Sequence, residues 1–408
     1  MHALKIPTGW KTGQLLDFLE LQRGVDLPVQ NRVLGEFPIL GSNGILARHN
    51  QFVAEGPGVV TGRSGTIGKL FYMEDKYWPL NTSLYVKDYK GNLPKFVYYK
   101  LSEMGLAQFA TGTGVPTLNR NVVHAKEVVF PPLAEQFRIA EILTTADMEL
   151  NVLARLITST KQLKNELMQT LFSQGVGFLS DGGRWVKHGK FKQTELGQIP
   201  ACWDVVKVED VAILNPTKKT QIDPSMKVSF LGMADLSEDG GIINRKKEIY
   251  ENVSKGFTSF INDDILVAKI TPCFENGKGA LVGGLENGLG FGSTEFHVIR
   301  ANIDLIDARF LYAHTRTGRF RKSGERNMVG SAGQKRVPSD YIRGVLIALP
   351  PLFEQQRIVE ILNDIDIKID LLKTKKNQCE HLKHGLIQKL MTGECRVKLD
   401  IPTEQQAA

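Results

Sequence analysis

The hydrophobic positions of this chain change period twice, each time after the same phrase. Up to residue 130 short apolar runs alternate with turn residues. Residues 37–44, 58–62 and 84–86 predict short strands and tight turns. Residues 94–108 predict a helix with Phe96, Val97, Leu101, Met104 and Leu106 on a broad apolar face. This is an α+β pattern of mixed sheet and few helices. From Leu133 the spacing becomes three and four: Ile139, Ile142, Ala146, Leu150, Leu153, Ile157, Thr160, Leu163, Leu167 and Leu171. No Gly or Pro falls between Leu133 and Gln174. A seam sustained that long predicts a coiled coil, and forty residues of helix span about 60 Å.

The phrase that opens this helix is Pro131-Pro132-Leu133-Ala134-Glu135-Gln136-Phe137-Arg138-Ile139-Ala140-Glu141-Ile142-Leu143. It returns as Pro350-Pro351-Leu352-Phe353-Glu354-Gln355-Gln356-Arg357-Ile358-Val359-Glu360-Ile361-Leu362, changed at three positions, at an offset of 219. A second seam follows it: Ile358, Ile361, Ile365, Ile369, Leu372, Lys376, Cys379, Leu382, Leu386 and Leu390. Subtracting 219 gives the first seam, position for position. Between the helices, after glycine-rich breaks at residues 175–177 and 181–183, Ile199-Pro200-Ala201-Cys202-Trp203 repeats Ile6-Pro7-Thr8-Gly9-Trp10 at an offset of 193. Thr294-Glu295-Phe296-His297-Val298 is the counterpart of Thr82-Ser83-Leu84-Tyr85-Val86. The second globular segment thus carries a net 26 extra residues, the growth of the offset from 193 to 219, and its contents otherwise differ.

Equal length and register suit two helices that pair with each other. A segment of about 180 residues has a radius of gyration near 16 Å. It connects the end of the first helix to the start of the second. Parallel helices would hold those points about 60 Å apart, whereas antiparallel helices make them neighbours. The expected architecture is therefore a pseudo-twofold tandem repeat, one globular segment at each end of an antiparallel coiled coil.

Composition sets few further limits. Over 408 residues, 51 basic and 44 acidic side chains leave a net charge of +7, a mild excess that permits a polyanionic partner. Cys202, Cys273, Cys379 and Cys395 lie far apart, with no C-x-x-C pair, which favours a reducing compartment over a zinc ribbon or disulfide framework. The start, Met1-His2-Ala3-Leu4-Lys5-Ile6-Pro7, lacks the apolar core of a signal peptide, and no run of about 18 apolar residues occurs. A soluble cytoplasmic protein is expected.

No catalytic constellation stands out. Residues 62–70 resemble a phosphate loop, but the first Gly comes one residue early and Leu70 replaces the Ser/Thr, so a tight turn is expected. Asn215-Pro216-Thr217 lacks the aromatic residue that stacks a flipped base in amino-methyltransferases. Asp366-Ile367-Lys368 has a nuclease-like form but lies on the second helix, as do His381 and His384, which lack further metal ligands nearby. No metal, nucleotide or organic cofactor is called for.

Cations with glycines are what remains. Between residues 316 and 343 stand Arg319, Arg321, Lys322, Arg326, Lys335 and Arg336, interleaved with Gly318, Gly324, Gly330 and Gly333. Read as mobile loops, they suit phosphate oxygens and guanine edges. The matching place in the first segment, residues 111–120, is less charged and offers Thr117, Asn119 and Arg120, which suit base reading or a simple turn. Arg63, Lys69, Lys269 and Lys278 sit on glycine-rich turns beside apolar strands and join the candidates.

The twin Pro-Pro-Leu-x-Glu-Gln-x-Arg-Ile-x-Glu-Ile-Leu motifs, each after a variable domain, resemble the specificity subunit of a type I restriction–modification enzyme. So does the closing stretch Leu382-Lys383 through Leu390-Met391-Thr392-Gly393. The resemblance covers the whole chain. It implies a first target-recognition domain at 1–131, a spacer helix at 132–174, a linker at 175–198, a second recognition domain at 199–350, a second helix at 351–395 and a tail at 396–408. It implies a non-catalytic DNA reader in which each domain contacts half of an interrupted asymmetric site and the coiled coil sets the gap. Double-stranded DNA, two modification subunits and two restriction subunits are the implied partners, with S-adenosylmethionine, ATP and Mg on those partners. Glu135, Gln136, Arg138, Glu354, Gln355 and Arg357 are expected to order the domain–helix junction or meet partners, not bases. Phe172-Ser173-Gln174-Gly175 departs from the Met391-Thr392-Gly393 ending, which puts the first helix cap in question. The alternative from another class is a coiled-coil scaffold that binds proteins through its two globular ends.

Overall fold

The structure, a computed structural model, describes residues 6–112, 114–217, 222–331 and 333–399. The reading of Met1 to Lys5, Thr113 of the first glycine-rich stretch, Ala332 of the second and the tail from Asp400 lie outside the described residues. The chain forms two compact units: Met1–Leu156 with Leu372–Ala408, and Ile157–Leu371. Each contains one globular segment, half of the first long helix and half of the second.

Unit 1 is bracketed by its own ends. Strand Lys11–Gln14 pairs antiparallel with Glu127–Phe130, so the segment closes immediately before Pro131-Pro132 starts the helix. Inside the bracket, four antiparallel strands lie in the order Glu20–Arg23, Ser83–Asp88, Gly58–Gly62, Leu70–Met73. A second sheet holds Gly44–His49, Phe37–Gly41 and Trp78–Pro79, the last pair parallel. The helix over 94–108 is shorter than its apolar spacing predicted. It spans Pro94–Glu103, and Gly105 at φ +59 turns the chain into a 3-10 turn at Leu106–Phe109. All five apolar positions of its face are nevertheless buried.

Unit 2 repeats the frame. Asp204–Lys207 pairs with Leu346–Leu349 just before Pro350-Pro351. Ala212–Leu214, Phe296–Ala301, Ile265–Ala268 and Gly279–Leu281 stand in the same sheet order as their counterparts in unit 1. Lys246–Ile249, Lys227–Leu231 and Leu289–Gly292 match the second sheet, which here gains a fourth strand, Thr258–Ile261. That strand and the excursion over 232–245 are additions relative to unit 1, and the helix Gly318–Arg326 stands in chain order where unit 1 has the 3-10 turn Leu106–Phe109.

The long helices run Leu133–Gln174 and Leu352–Thr392, and within each unit their halves pair antiparallel. In unit 1, Lys383 Nζ meets Asp147 and Lys375 Nζ meets Glu149 at 2.7 Å. In unit 2 the counterparts of the first pair, Lys164 and Asp366, meet at 2.6 Å. The helices also enter the domain cores. Ile139, Ala140, Leu143, Leu390 and Met391 pack with Trp10, Phe96 and Phe130, while Met168, Leu171, Ile358, Val359 and Leu362 pack with Trp203 and Phe310.

One position of the seam is corrected in both copies. Leu163 and Leu382 are exposed, because 3.6 residues per turn carry a strict heptad off the contact. The residues that follow, Lys164 and Lys383, reach the facing helix instead. The helix ends are alike despite their sequences: Gly175 at φ +69 and Gly393 at φ +74 both take the left-handed conformation that closes a helix.

Candidate nucleic-acid interface

The junctions explain the repeated phrase. In unit 1 the Trp10 indole donates Nε1–H to Glu135 at 3.2 Å, and Arg396 completes the carboxylate. In unit 2 the Trp203 indole donates to Glu354 at 2.9 Å, joined by the Val176 and Gly177 amides and the His188 ring. The neighbouring amides behave as a pair. Gln136 accepts from the Leu93 amide and donates to the Pro131 carbonyl, and Gln355 accepts from the Asp307 amide and donates to the Pro350 carbonyl. All four side chains are buried. Arg138 and Arg357 face outward and bridge to Glu141 and Glu360 one turn on.

In unit 1 three loops converge. Leu118 N donates to the Arg63 carbonyl, Gly65 N to the Pro116 carbonyl, and Lys69 Nζ to Asn43 Oδ1 at 2.6 Å. A cavity of about 760 Å³ joins Arg63, Thr117, Asn119 and Arg120 to Glu20, Gln22 and Arg23. Arg63 donates Nε–H to the Asn81 carbonyl at 2.9 Å, and burial first, then the nearby Arg23 charge, holds its guanidinium below its ordinary range. Asn119 caps the helix Arg120–His124 by accepting from Asn121 N, which fixes Arg120 at the mouth. Lys69 lies beyond the cavity lining, on the adjoining turn.

Glu20, Gln22 and Arg23 escaped sequence reasoning. The signal was present for two of them: Leu19 and Leu21 are buried, so the alternating residues Glu20 and Gln22 face away from that core, whereas alternation gives no such signal for Arg23.

In unit 2 the cations divide. The stretch read as loops contains a helix, Gly318–Arg326, which sends Phe320, Arg321 and Gly324 inward. Gly324 is needed there, since a Cβ would lie 2.3 Å from the Phe274 ring. Arg321 is therefore an internal residue. It donates to the Thr315 and Phe274 carbonyls at 2.9 and 3.1 Å, lies over the Phe274 ring, and is pushed down to about 10 by burial and then by Arg316. Arg319, Lys322 and Arg326 form a row on the opposite, exposed face at helical spacing. The bridge between Ile270 and Arg336 draws Lys269, Lys335 and Arg336 together beside Glu295, which takes Arg336 in a forked ion pair at 2.9 Å. That pair holds the Glu295 carboxyl below its usual range. Lys278, whose carbonyl accepts from the Ala268 amide, turns its own Nζ to the Met233 carbonyl at 3.2 Å. Among the described residues no group of three His, Cys, Asp or Glu side chains is placed to hold a metal ion, and no helix is long and apolar enough to cross a membrane.

Two copies of one α+β frame, each closed by the same Trp–Glu junction on paired long helices, define a tandem of like domains with unlike polar faces. The chain belongs to the type I restriction modification DNA specificity domain family, whose model matches twice, at residues 7–168 and 200–381. The type I restriction enzyme EcoAI specificity subunit of Escherichia coli is 42% identical over 186 residues, 43% of this chain and 31% of that relative. The chain thus spans under a third of that relative's length. The MjaVIII specificity subunit of Methanocaldococcus jannaschii is 25% identical across 98% of this chain and 96% of its own. Among solved structures, the type I restriction–modification S subunit from M. genitalium shares the fold with a TM-score of 0.57 at 17% identity, covering 96% of this chain and 98% of that one.

Proposed function

We propose that this chain is the DNA sequence-recognition subunit of a cytoplasmic type I restriction–modification complex. Each unit reads one half of a bipartite asymmetric site, and the paired helices set the gap between halves. The observation that carries this is the contrast between frame and face: junctions and helices repeat, whereas the polar faces do not. Unit 1 offers a cavity with Arg63, Asn119, Arg120, Gln22 and Arg23, suited to base edges. Unit 2 offers the exposed row Arg319, Lys322 and Arg326, suited to phosphates. Unlike faces on like frames suit unlike half-sites.

The chemistry belongs to partners in this reading: two modification subunits using S-adenosylmethionine, and two restriction subunits using ATP and Mg, around a non-catalytic chain. Two equivalent docking places have structural support. Met148, Val152 and Leu382 in unit 1 are exposed apolar residues of the helices, and so are their counterparts Ile367, Leu371 and Leu163 in unit 2. Leu382 and Met148 flank the Lys383–Asp147 bond, as Leu163 and Ile367 flank Lys164–Asp366. The same triad, once per unit, suits two copies of one partner.

The deciding experiment is a methylome of a host expressing the cognate modification subunit with and without this chain. A bipartite motif that appears only with the chain is expected. Modification that persists unchanged without it would overturn the reading.

A further inference from the structure

The hairpin of unit 1, strands Phe37–Gly41 and Gly44–His49, carries a feature that the polar cavity does not explain. Its register shifts so that Ile39 pairs with Ala47 and Leu40 with Ile45, leaving Leu46 as an extra residue on the outer strand. A regular strand would turn one of two successive side chains inward. The bulge leaves both out, with Ile45 58% and Leu46 57% exposed. Glycine keeps the room: a Cβ on Gly41 would lie 2.7 Å from Leu46 Cδ1. Leu34, 87% exposed, completes an apolar surface recess of about 450 Å³ rimmed by Arg32 and Arg48, with no carboxylate in its lining. Each arginine is steadied by one bond to a main-chain carbonyl, Arg32 to Leu27 and Arg48 to Glu36.

Two observations say what covers this recess. The strand begins beside Asn43, the partner of Lys69, so the apolar pair continues the proposed DNA face. The equivalent strand of unit 2, Lys246–Ile249, is also the outer member of a hairpin whose inner strand pairs in parallel on its far side. It is preceded by Arg245 and opens with Lys246 and Lys247. One element thus carries basic side chains in both units: in unit 2 the exposed Lys246 and Lys247 pair with Asp235 at 3.6 Å and Glu286 at 2.8 Å, and in unit 1 two arginines rim an apolar pair.

We propose that this outer strand contacts DNA in both units, and that in unit 1 Ile45 and Leu46 read the 5-methyl group of a thymine while Arg32 and Arg48 hold the flanking phosphates. The thymine methyl is the apolar group that base edges present in the major groove, and phosphates flank every base. The inference rests on the recognition function proposed above.

The test uses the full chain assembled with its modification subunits and a duplex carrying the methylated motif, with each thymine in turn replaced by deoxyuridine. Losing one methyl contact should weaken binding about fourfold. That loss is expected at one or two thymines of a single half-site. Ile45→Ser with Leu46→Ser should bind thymine and deoxyuridine duplexes alike, with an unchanged thermal midpoint and salt dependence, whereas Arg48→Ala should lower the slope of log K on log salt by about one. Absence of any deoxyuridine effect in the wild-type complex overturns the inference, and so does an effect that survives in the double variant. Lost association with a modification or restriction subunit, with deoxyuridine sensitivity intact, assigns the recess to a protein and also overturns it. A wild-type complex with no preference for the motif over random duplex instead overturns the recognition reading itself.

Discussion

Trp203 and Glu354, 151 positions apart in the chain, meet through an indole N–H bond of 2.9 Å in the closed interior of unit 2, as Trp10 and Glu135 do at 3.2 Å in unit 1. Glu354 is fully buried, and its carboxylate also takes two main-chain amides and His188. Glu354→Ala would strand all these donors, at a cost of about 3–5 kcal/mol. Glu354→Gln retains one accepting oxygen and should lose less. Calorimetry should show the alanine variant's transition for this unit falling by about 2–4 °C per kcal/mol, with the glutamine variant between it and wild type.

Acid should weaken unit 2 through His314. Its ring stacks 4.1 Å from Phe172, its Nε2 is buried without a hydrogen-bond partner, and desolvation, then the Arg319 charge, pushes it down to about 3. The unfolded imidazole titrates near pH 6.5. Between those values the unfolded chain holds more protons, so stability falls as pH drops from about 6.5 toward about 3, by up to about 1.4 kcal/mol per pH unit. His297, also lowered by burial, acts on unit 2 in the same direction, and His124, likewise lowered by burial, does so for unit 1. His314→Phe should melt at nearly the wild-type temperature at pH 7.5 and above it at pH 5, measured by thermal denaturation at both pH values.

Much of the frame was legible because repetition needs no knowledge of contacts. Two copies of one phrase, two matched seams and two Trp starts announced the tandem before any strand was placed. The junction was half visible: Glu135 and Trp10 each stood out as repeated residues, but 125 positions of chain separate them and no local rule connects them. The cations were legible as residues and not as a surface. Arg319, Arg321 and Lys322 look equivalent in sequence, and only the inward face set by Phe320 and Gly324 separates the middle one from the others. Ile45 and Leu46 were illegible as an exposed pair, since alternation would have hidden one and the bulge depends on register with the partner strand.

That division of the arginines predicts two phenotypes. Arg321→Ala removes donors from the Thr315 and Phe274 carbonyls and should destabilise unit 2 by about 1–3 kcal/mol. Arg319→Ala, Lys322→Ala and Arg326→Ala together should leave the melting temperature unchanged and flatten the dependence of log K on log salt by about three, measured by DNA titration of the assembled complex. A triple variant with the wild-type salt slope would remove this row from the DNA face.

The helices carry the last prediction. Asp147 with Lys383 and Asp366 with Lys164 are the same pair written at an offset of 219, so the register of one unit is copied in the other. Removing seven residues from the first helix alone breaks that match. Removing the corresponding seven from the second as well restores it, because seven residues are close to two helical turns and keep the paired faces within about 20°. The double deletion shortens the pair by about 10 Å, equivalent to about three base pairs at 3.4 Å each. A methylome of cells expressing the doubly shortened chain with its modification subunit should show both half-sites unchanged and a gap reduced by about two to three base pairs. The single deletion should show little or no modification. An unaltered gap in the double deletion would separate the helices from the spacing and leave them only the task of holding Trp10, Glu135, Trp203 and Glu354 in place.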